Sequence, residues 1–281
     1  MKTILILIPC MMLLFCLLGY WTNRQLEVTK ENLSIDNLPN ALNNTRILHV
    51  SDIHYERLRV PLKKLLTAAE KEQPDVIFVT GDTVDRTEDV TQSHIQELIN
   101  DLAAIAPTYV IEGNHERTSG QYEEWRELML NSKATLLENS VITIQLKGQP
   151  ITLVGLKNGV TDLPFEEKTK INKSYPAFIL AHHPETFSLY IEHFFNYPIK
   201  AIFSGHAHGG QIRLPFIDGL LSPNQGFFPE YTNGPYLLAE KPETTLFVSR
   251  GLANSSFPFR INNHPHLISL SLSDSTPLTS E

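Results

Sequence analysis

Short apolar, β-branched runs alternate with amphipathic helical patterns along most of this chain, and this alternation restricts its fold more than any other feature. Runs at residues 45–51, 75–80 and 108–111 have the length and composition of buried strands. Between them, apolar residues recur at helical spacing in the segments Leu62–Ala69 and Ile95–Leu102. Strand–helix alternation of this kind predicts an α/β fold.

The second half of the chain adds further strand-like runs. Residues 141–146 and 151–156 are separated by the short polar segment "KGQP" and predict a β-hairpin. A hairpin among otherwise parallel strands makes the predicted sheets mixed. The remaining predicted strands are 177–181, 200–204, 244–249 and 266–272.

The amino-terminal segment differs from the rest of the sequence. After Lys2, an uncharged and mostly apolar run extends from Thr3 to Asn23 and includes the pair Tyr20-Trp21. This length and these aromatic residues predict a membrane-spanning anchor at residues 1–23. A cleaved signal peptide is the alternative, and the long apolar run without an A-x-A-like site disfavours it. Lys2 favours a cytoplasmic amino terminus, which predicts an extracytoplasmic domain on a single-pass membrane protein, although Arg24 opposes this orientation.

Residues 24–44 are polar and rich in asparagine, and they predict a tether that leads into a folded domain at 45–275. Both cysteines, Cys10 and Cys16, lie in the apolar amino-terminal segment. The predicted domain therefore forms no disulfide and has no thiolate nucleophile. This composition is compatible with an extracytoplasmic location.

The formal net charge of −8 argues against a nucleic acid as partner, because binding to a phosphate backbone depends on clustered Lys and Arg. An anionic substrate would therefore need local positive charge. Basic side chains or metal ions could supply it.

Polar residues cluster directly after five of the predicted strands, in the motifs "SDIH", "GD", "GNHE", "AHHP" and "GHAH". Ligands of α/β proteins usually bind at this edge of the sheet. Each motif alone has an ordinary structural explanation, such as a turn residue or a helix cap. Together they predict a metal site, and its candidate residues are Asp52, His54, Asp82, Asn114, His115, His182, His183, His206 and His208.

This series, written D-x-H, G-D, G-N-H-E, H-x-P and G-H-x-H-G-G-Q, resembles the calcineurin-like metallophosphoesterase superfamily. Within it, the "RLP" that follows the last motif is similar to a membrane-anchored bacterial branch. The resemblance covers residues 45–272. It implies a four-layer αββα sandwich of two mixed β-sheets flanked by helices. It also implies metal-dependent hydrolysis of a phosphomonoester, phosphodiester or pyrophosphate bond.

The resemblance further implies two metal sites that share one ligand. The first metal is expected on Asp52, His54, Asp82 and His208, and the second on Asp82, Asn114, His182 and His206. Because His183 follows His182 directly, the fourth motif has a one-residue ambiguity, and the position two before Pro184 favours His182. Ala181 and Ala207 depart from the family pattern. The change at Ala207 is expected to have no effect, and the change at Ala181 is expected to leave His182 as the ligand. The glycines of the last motif are expected to let the backbone pass close to the ions.

Two adjacent metal ions can share a hydroxide that attacks the phosphoryl group, so no side-chain nucleophile is needed. His115 is expected to stabilise charge on the phosphoryl group or to protonate the leaving oxygen; a structural imidazole is the alternative. Mixed carboxylate, amide and imidazole ligands favour Mn, Fe, Zn or Co over Ca or Mg. By resemblance, manganese is expected first, before zinc or iron.

The segment 213–240, rich in Pro, Gly and aromatic residues, follows the last motif and is expected to border the substrate. Its apolar residues could face the pocket or a membrane, or could pack beneath a long loop; they include Phe216, Ile217, Leu220, Leu221, Phe227 and Phe228. Arg213 could contact an anionic group or be solvated, and no role is assigned to Arg250 or Arg260.

The anchor and the apolar segment favour a phosphorylated or lipid-linked substrate of the cell envelope. Some relatives in this branch act on nucleotide-linked acylated sugars, so an enzyme similar to a UDP-2,3-diacylglucosamine pyrophosphatase is one alternative. A non-catalytic surface module that retains metal is another, and the presence of His115 disfavours it. The sequence does not predict the oligomeric state.

Overall fold

Two six-stranded sheets form the centre of the molecule, seen in a computed structural model that describes residues 16–214, 216–254 and 260–275. The first sheet contains, in spatial order, β1 (Glu27–Ile35), β14 (His266–Asp274), β2 (Arg46–Val50), β3 (Val76–Thr80), β4 (Thr108–Ile111) and β5 (Thr135–Leu136). Strands β2 to β5 run parallel, while β14 is antiparallel to β2. The sheet is therefore mixed, as predicted.

The second sheet contains, in spatial order, β12 (Gly234–Leu237), β13 (Thr245–Val248), β9 (Ile199–Ser204), β8 (Ala177–Leu180), β7 (Gln149–Gly155) and β6 (Ser140–Leu146). Strands β6 and β7 form the predicted hairpin, and β7, β8, β9 and β13 run parallel. A separate two-stranded ribbon joins β10 (Leu221–Ser222) to β11 (Gly226–Phe227).

The two sheets pack face to face through a core of aromatic and aliphatic side chains. Phe78 of the first sheet contacts Phe203 of the second, with ring centroids 5.0 Å apart, and Phe178 at 6.5 Å. All three phenylalanines are fully buried. Offset and edge-on ring pairs of this kind stabilise the packing beyond the burial of their area alone.

Helices cover the outer face of each sheet. On the first sheet, α1 (Leu62–Glu72), α2 (Ile95–Ile105) and α4 (Tyr122–Leu130) bury apolar residues against the strands, and α6 (Phe187–His193) does so on the second. Two shorter helices are α3 (Asn114–Thr118) and α5 (Phe165–Lys168). The helices α1 and α2 coincide with the two amphipathic patterns of the sequence. The predicted four-layer αββα sandwich is confirmed.

The prediction of a tether at 24–44 is wrong at residues 27–35. Residues Glu27–Ile35 form an edge strand that pairs in parallel with His266–Asp274 over all nine residues. An edge strand exposes many of its side chains, so its polar sequence lacks the apolar run that predicts a buried strand. Leu33 and Ile35 still enter the core between the sheets. The folded unit therefore includes residues that precede the predicted start at Thr45.

Residues 16–22 are helical and continue into β1 through a short turn. In the part of the chain that the structure describes, no helix has the length and apolar character needed to cross a membrane. Most of the predicted anchor at 1–23 lies outside the described residues. The anchor therefore remains a prediction.

Candidate metal centre

The seven predicted metal ligands lie at one edge of the two sheets. Asp52 and His54 follow β2, Asp82 follows β3, and Asn114 opens α3 directly after β4. The carboxyl ends of these parallel neighbours meet at the same edge. The second sheet brings its own loops to this point, with three histidines that follow β8 and β9: His182, His206 and His208.

Four of these side chains form a first group. Ligand atoms of Asp52, His54, Asp82 and His208 all lie within 4.8 Å of one another, and all four residues are buried. The Nε2 atoms of His54 and His208 are 3.4 Å apart. Nε2 of His208 is 3.5 Å from Oδ1 of Asp52, and Nε2 of His54 is 3.8 Å from Oδ2 of Asp82.

A second group contains Asp82 again, now with His182 and His206, within the same 4.8 Å limit. Nε2 of His182 lies 3.2 Å from Oδ2 of Asp82. Asp82 is thus the residue common to both groups. Oδ2 of Asp82 faces a histidine of each group, and one carboxylate oxygen can connect two cations, which is the arrangement that the resemblance implies.

Hydrogen bonds orient two of the imidazoles for metal binding. Nδ1 of His182 donates to the carbonyl of Thr80 at 2.7 Å, and Nδ1 of His208 donates to the carbonyl of Ala253 at 3.2 Å. Each bond fixes the proton on Nδ1 and leaves the lone pair of Nε2 for a cation. The buried Oδ1 of Asn114 has no hydrogen-bond partner among the residues that the structure describes. A cation would satisfy that oxygen, so the residues present fit a metal centre.

The backbone at this edge is held in an uncommon conformation. Five of the seven residues have positive φ angles between 37° and 66°, a region that non-glycine residues rarely adopt: Asp52, His54, Asp82, His206 and His208. Strain of this kind concentrates at functional sites, where the surrounding structure compensates for it.

Glycines allow the loops to approach one another closely. A Cβ atom at Gly81, which has a φ of 86°, would lie 2.7 Å from the backbone nitrogen of Gly113 and 2.8 Å from Nδ1 of His182. At Gly205 a Cβ atom would collide with the side chains of Ser51 and Asp52. Both positions therefore require glycine, as expected for Gly205 from the sequence.

Burial and neighbouring charges shift the pKa values of the buried groups at the site. Burial alone would lower the pKa of His182, but the Asp82 carboxylate raises it to about 10. Burial would likewise raise the pKa of Asp82, but His182 holds it well below its usual value. Burial raises the pKa of Asp52 to about 6 and lowers the pKa of His54 to about 3. These shifts favour a protonated His182 beside an ionised Asp82, and a cation bound to both residues would replace the proton on Nε2 of His182.

His115 adjoins the first group of ligands. Its backbone nitrogen donates to Oδ1 of Asp82 at 2.8 Å, and its ring lies 4.4 Å from that of His54. Nδ1 is 3.2 Å from Oδ2 of Asp85, and Nε2 is 2.8 Å from a guanidinium nitrogen of Arg86. The imidazole is buried, while Arg86 is exposed. His115 therefore connects the metal ligands to a cationic group at the surface.

Three residues near the centre were not singled out by the sequence. Asp85 and Arg86 contact His115, and the buried carboxylate of Glu116 accepts hydrogen bonds from the backbone nitrogens of Gly113, at 2.7 Å, and Asp82, at 3.1 Å. Glu116 thereby joins the loops after β3 and β4. Two signals were available in the sequence. Glu116 is the last residue of the motif "GNHE", and Asp85 lies three residues after Asp82.

His183 lies beside the centre. Its Nδ1 is 2.9 Å from Oε1 of Glu185, and its Nε2 is 2.6 Å from Oδ1 of Asn158. Its ligand atoms group with Glu185 and His206, and the group around Asp82 contains His182 instead. This placement favours His182 as the ligand of the fourth motif. Ala181 and Ala207 are both buried in the apolar cluster behind the second sheet.

Three arginines near the site are held by neighbouring groups. Arg213 lies 2.9 Å from Oδ1 of Asp218, and Arg250 lies 2.9 Å from Oε2 of Glu27. Arg260 is fully buried and donates at 2.8 Å to the carbonyl of Arg250. In the structure, all three support the loops around the site.

Comparison with known proteins agrees with this arrangement. The family model described as calcineurin-like phosphoesterase matches residues 45–210. The chain is 28% identical to an uncharacterized metallophosphoesterase, YkuE, of Bacillus subtilis over 88% of its own length and 86% of the relative's. It is 27% identical to the phosphodiesterase YaeI of Escherichia coli, covering 81% of this chain and 82% of that one. It is 25% identical to the UDP-2,3-diacylglucosamine pyrophosphatase LpxG of Chlamydia trachomatis, covering 81% and 83%.

Among solved structures, the 5'-nucleotidase precursor from Thermus thermophilus has the same fold. It superposes with a TM-score of 0.50 at 14% identity, covering 75% of this chain and 49% of that one. The chain therefore belongs to the calcineurin-like phosphoesterase family and is a metal-dependent phosphoric ester hydrolase.

Proposed function

We propose that the protein is a membrane-anchored phosphoesterase with two metal ions, which hydrolyses a phosphomonoester, phosphodiester or pyrophosphate bond. The single observation that carries this proposal is the position of Asp82. Its carboxylate belongs to two separate groups of buried ligands, one completed by three other residues and the other by two. A structural site for one ion would need only one such group.

The first ion would be held by Asp52, His54, Asp82 and His208, and the second by Asp82, Asn114, His182 and His206. Divalent ions at these residues would polarise the phosphoryl oxygens and lower the pKa of a water molecule. The protein's own contribution is to fix the ligands in place. Strained loops, oriented imidazoles and the Glu116 carboxylate do this before any substrate binds.

Three further residues would act on the substrate or on one another. Asp85 lies 3.2 Å from Nδ1 of His115 and orients the ring, so that Nε2 lies next to Arg86, 4.0 Å from Oδ2 of Asp82. In the structure Nε2 accepts a hydrogen bond from the Arg86 guanidinium, so a proton could pass from Nε2 to the leaving oxygen only after Arg86 turns from the ring toward the substrate. The Arg86 guanidinium supplies the positive charge that an anionic substrate needs in a protein of net charge −8.

The substrate we propose is a phosphorylated or lipid-linked molecule of the cell envelope. The apolar residues 3–23 of the sequence and the names of two relatives support it, one a phosphodiesterase and the other a UDP-2,3-diacylglucosamine pyrophosphatase. A pyrophosphatase that acts on a nucleotide-linked acylated sugar is the second candidate. Only the second candidate releases a nucleotide, so product analysis separates the two.

The test begins with full-length protein stripped of metal by a chelator and reloaded with Mn, Zn or Fe. The reloaded protein is assayed with bis-p-nitrophenyl phosphate and p-nitrophenyl phosphate, and then with a lipid pyrophosphate and UDP-2,3-diacylglucosamine. We expect hydrolysis to return when metal is restored, and to be strongest with manganese. Two bound ions without turnover of any ester would contradict the proposal and favour a non-catalytic metal-binding module.

A further inference from the structure

The loop that follows the metal-binding histidines exposes an unusual amount of apolar surface. We define the apolar loop as residues 214–228. Phe216 is fully exposed, and Phe227 and Phe228 are 71% and 65% exposed. The sequence of this loop contains one charged residue, Asp218, which pairs with Arg213 at 2.9 Å. Several exposed apolar side chains in one loop are typical of an interaction surface.

The apolar loop borders the metal centre directly. Asn224 lies in the turn between β10 and β11, and its side-chain nitrogen is 3.1 Å from Nε2 of the predicted ligand His206. The same nitrogen donates to Oε1 of Glu185 at 3.0 Å. Whatever covers Phe227 and Phe228 therefore lies next to the edge where the substrate would bind.

The amino-terminal helix ends near residues that contact the base of the apolar loop. The Trp21 ring lies edge-on to His264, with centroids 6.0 Å apart, and the backbone nitrogen of Arg260 donates to Oδ1 of Asn23 at 3.2 Å. One residue further on, the carbonyl of Ile261 accepts a hydrogen bond at 3.0 Å from the backbone of Arg213. A short chain of contacts thus connects the helix to the base of the apolar loop.

The described part of this helix also exposes apolar residues, which include Leu17, Leu18, Tyr20 and Trp21, each more than half exposed. The sequence before it, residues 3–15, is uncharged and strongly apolar. The apolar helix and the apolar loop are therefore connected through Arg260 and Ile261. Aromatic residues such as Tyr and Trp favour the interface between lipid and water.

We propose that the apolar loop and residues 16–22 form one face of the molecule, and that this face lies against a lipid bilayer. The inference rests on the proposed function for the anchor, and it adds a second, independent contact with the membrane. Phe216, Phe227 and Phe228 enter the lipid interface, and the metal centre opens at the level of the headgroups. Such a geometry presents phosphate esters of lipids to the ligands and excludes large soluble substrates.

The test measures contact between the apolar loop and lipid in full-length protein reconstituted into phosphatidylcholine–phosphatidylglycerol vesicles. Trp21 is replaced in the variant W21F/F227W, whose new indole reports on the loop. The matched control is W21F/F195W, because Phe195 is 51% exposed and precedes β9, at the end of the sheet opposite the metal ligands. The buried Trp125 gives the same background in both.

Vesicles that contain lipids brominated near the headgroup should quench the F227W signal at least about twofold more than the F195W signal, since interfacial side chains enter the bilayer to a depth of about 5–10 Å. Equal quenching of the two variants would overturn the proposal. Failure of Trp21 itself to be quenched in unsubstituted protein would also overturn it. A second reporter, W21F/F228W, repeats the measurement in case F227W alters folding.

Hydrolysis of bis-p-nitrophenyl phosphate by the same proteins keeps this inference separate from the proposed function. Turnover without quenching would refute the membrane contact and leave the phosphoesterase intact. Quenching without turnover in unsubstituted protein would support the contact and refute the phosphoesterase.

Discussion

Oδ2 of Asp82 lies 3.2 Å from Nε2 of His182, and the two side chains come from loops of different sheets. This pair joins the two halves of the sandwich at the edge where the other predicted ligands converge. Neither partner is exposed to solvent. The pair therefore places a carboxylate in a low-dielectric site that a cation would stabilise.

The first prediction concerns Asp82. The substitution D82N removes the negative charge that both groups of ligands share, so we expect hydrolysis to fall by at least about a thousandfold with every metal. The exposed Asp101 on α2 offers the matched control D101N, which changes the net charge equally. Substantial turnover by D82N with any of the metals tested would contradict the shared-ligand assignment. Initial rates on an activated diester provide the measurement.

The ambiguity between His182 and His183 has its own prediction. We expect H182A to bind one metal ion per chain where the unsubstituted protein binds two, because His182 belongs to the group around Asp82 and His183 does not. H183A should keep both ions. The exposed His94 provides a surface control, H94A. Elemental analysis of dialysed protein measures the stoichiometry, and loss of an ion from H183A alone would reverse the assignment.

Removal of metal should lower the stability of the protein. Burial raises the pKa of Asp52 to about 6, which shows that its charged form is disfavoured without a cation. A ligand that binds only the folded state stabilises it by about 2.7 kcal/mol at a concentration one hundred times its Kd. Melting temperatures with chelator and with excess manganese measure the difference. An unchanged melting temperature would argue against binding at this site.

Glu138 should make folding stability depend on pH. Burial alone would raise its pKa, but Arg126 and Lys157, at 2.8 and 3.0 Å, lower it to about 2. The ion pairs therefore stabilise the folded state above the unfolded pKa of about 4.3, and the contribution disappears as pH falls toward 2.

The substitution E138Q should accordingly cost about 1 kcal/mol near pH 7, because the group is partly exposed and solvent weakens its ion pairs. The cost should vanish near pH 2. Urea unfolding at several pH values measures it, with E124Q on the exposed face of α4 as control. A cost that stays constant down to pH 2 would show that charge is not its cause.

Glu116 should matter for folding as well as for activity. Its buried carboxylate accepts hydrogen bonds from the backbone of Gly113 and Asp82, which hold the loops after β3 and β4 together. E116Q replaces one acceptor oxygen with a donor that faces N–H groups, so we expect a loss of about 1–3 kcal/mol in the free energy of unfolding. Denaturant unfolding measures this loss. A neutral effect would show that water can replace these bonds.

Continuous apolar runs and helical periodicity predicted most of the fold, and the motifs after the strands named the residues that the structure brings together at one edge. The runs at β2, β3 and β4 are apolar on both faces because both faces are buried, and the polar residues that follow them are the proposed ligands. The strand Glu27–Ile35 was not predicted because an edge strand carries exposed polar residues. Asp85 and Glu116 were not predicted as site residues because their partners, His115 and the backbone of Asp82, come near only after folding.

The location of anomalous scatterers in crystals grown with manganese tests the central claim most directly. We predict two peaks about 3.5–4 Å apart, the usual separation in two-metal sites, with Asp82 in contact with both. A single peak, or two peaks of which only one contacts Asp82, would contradict the account.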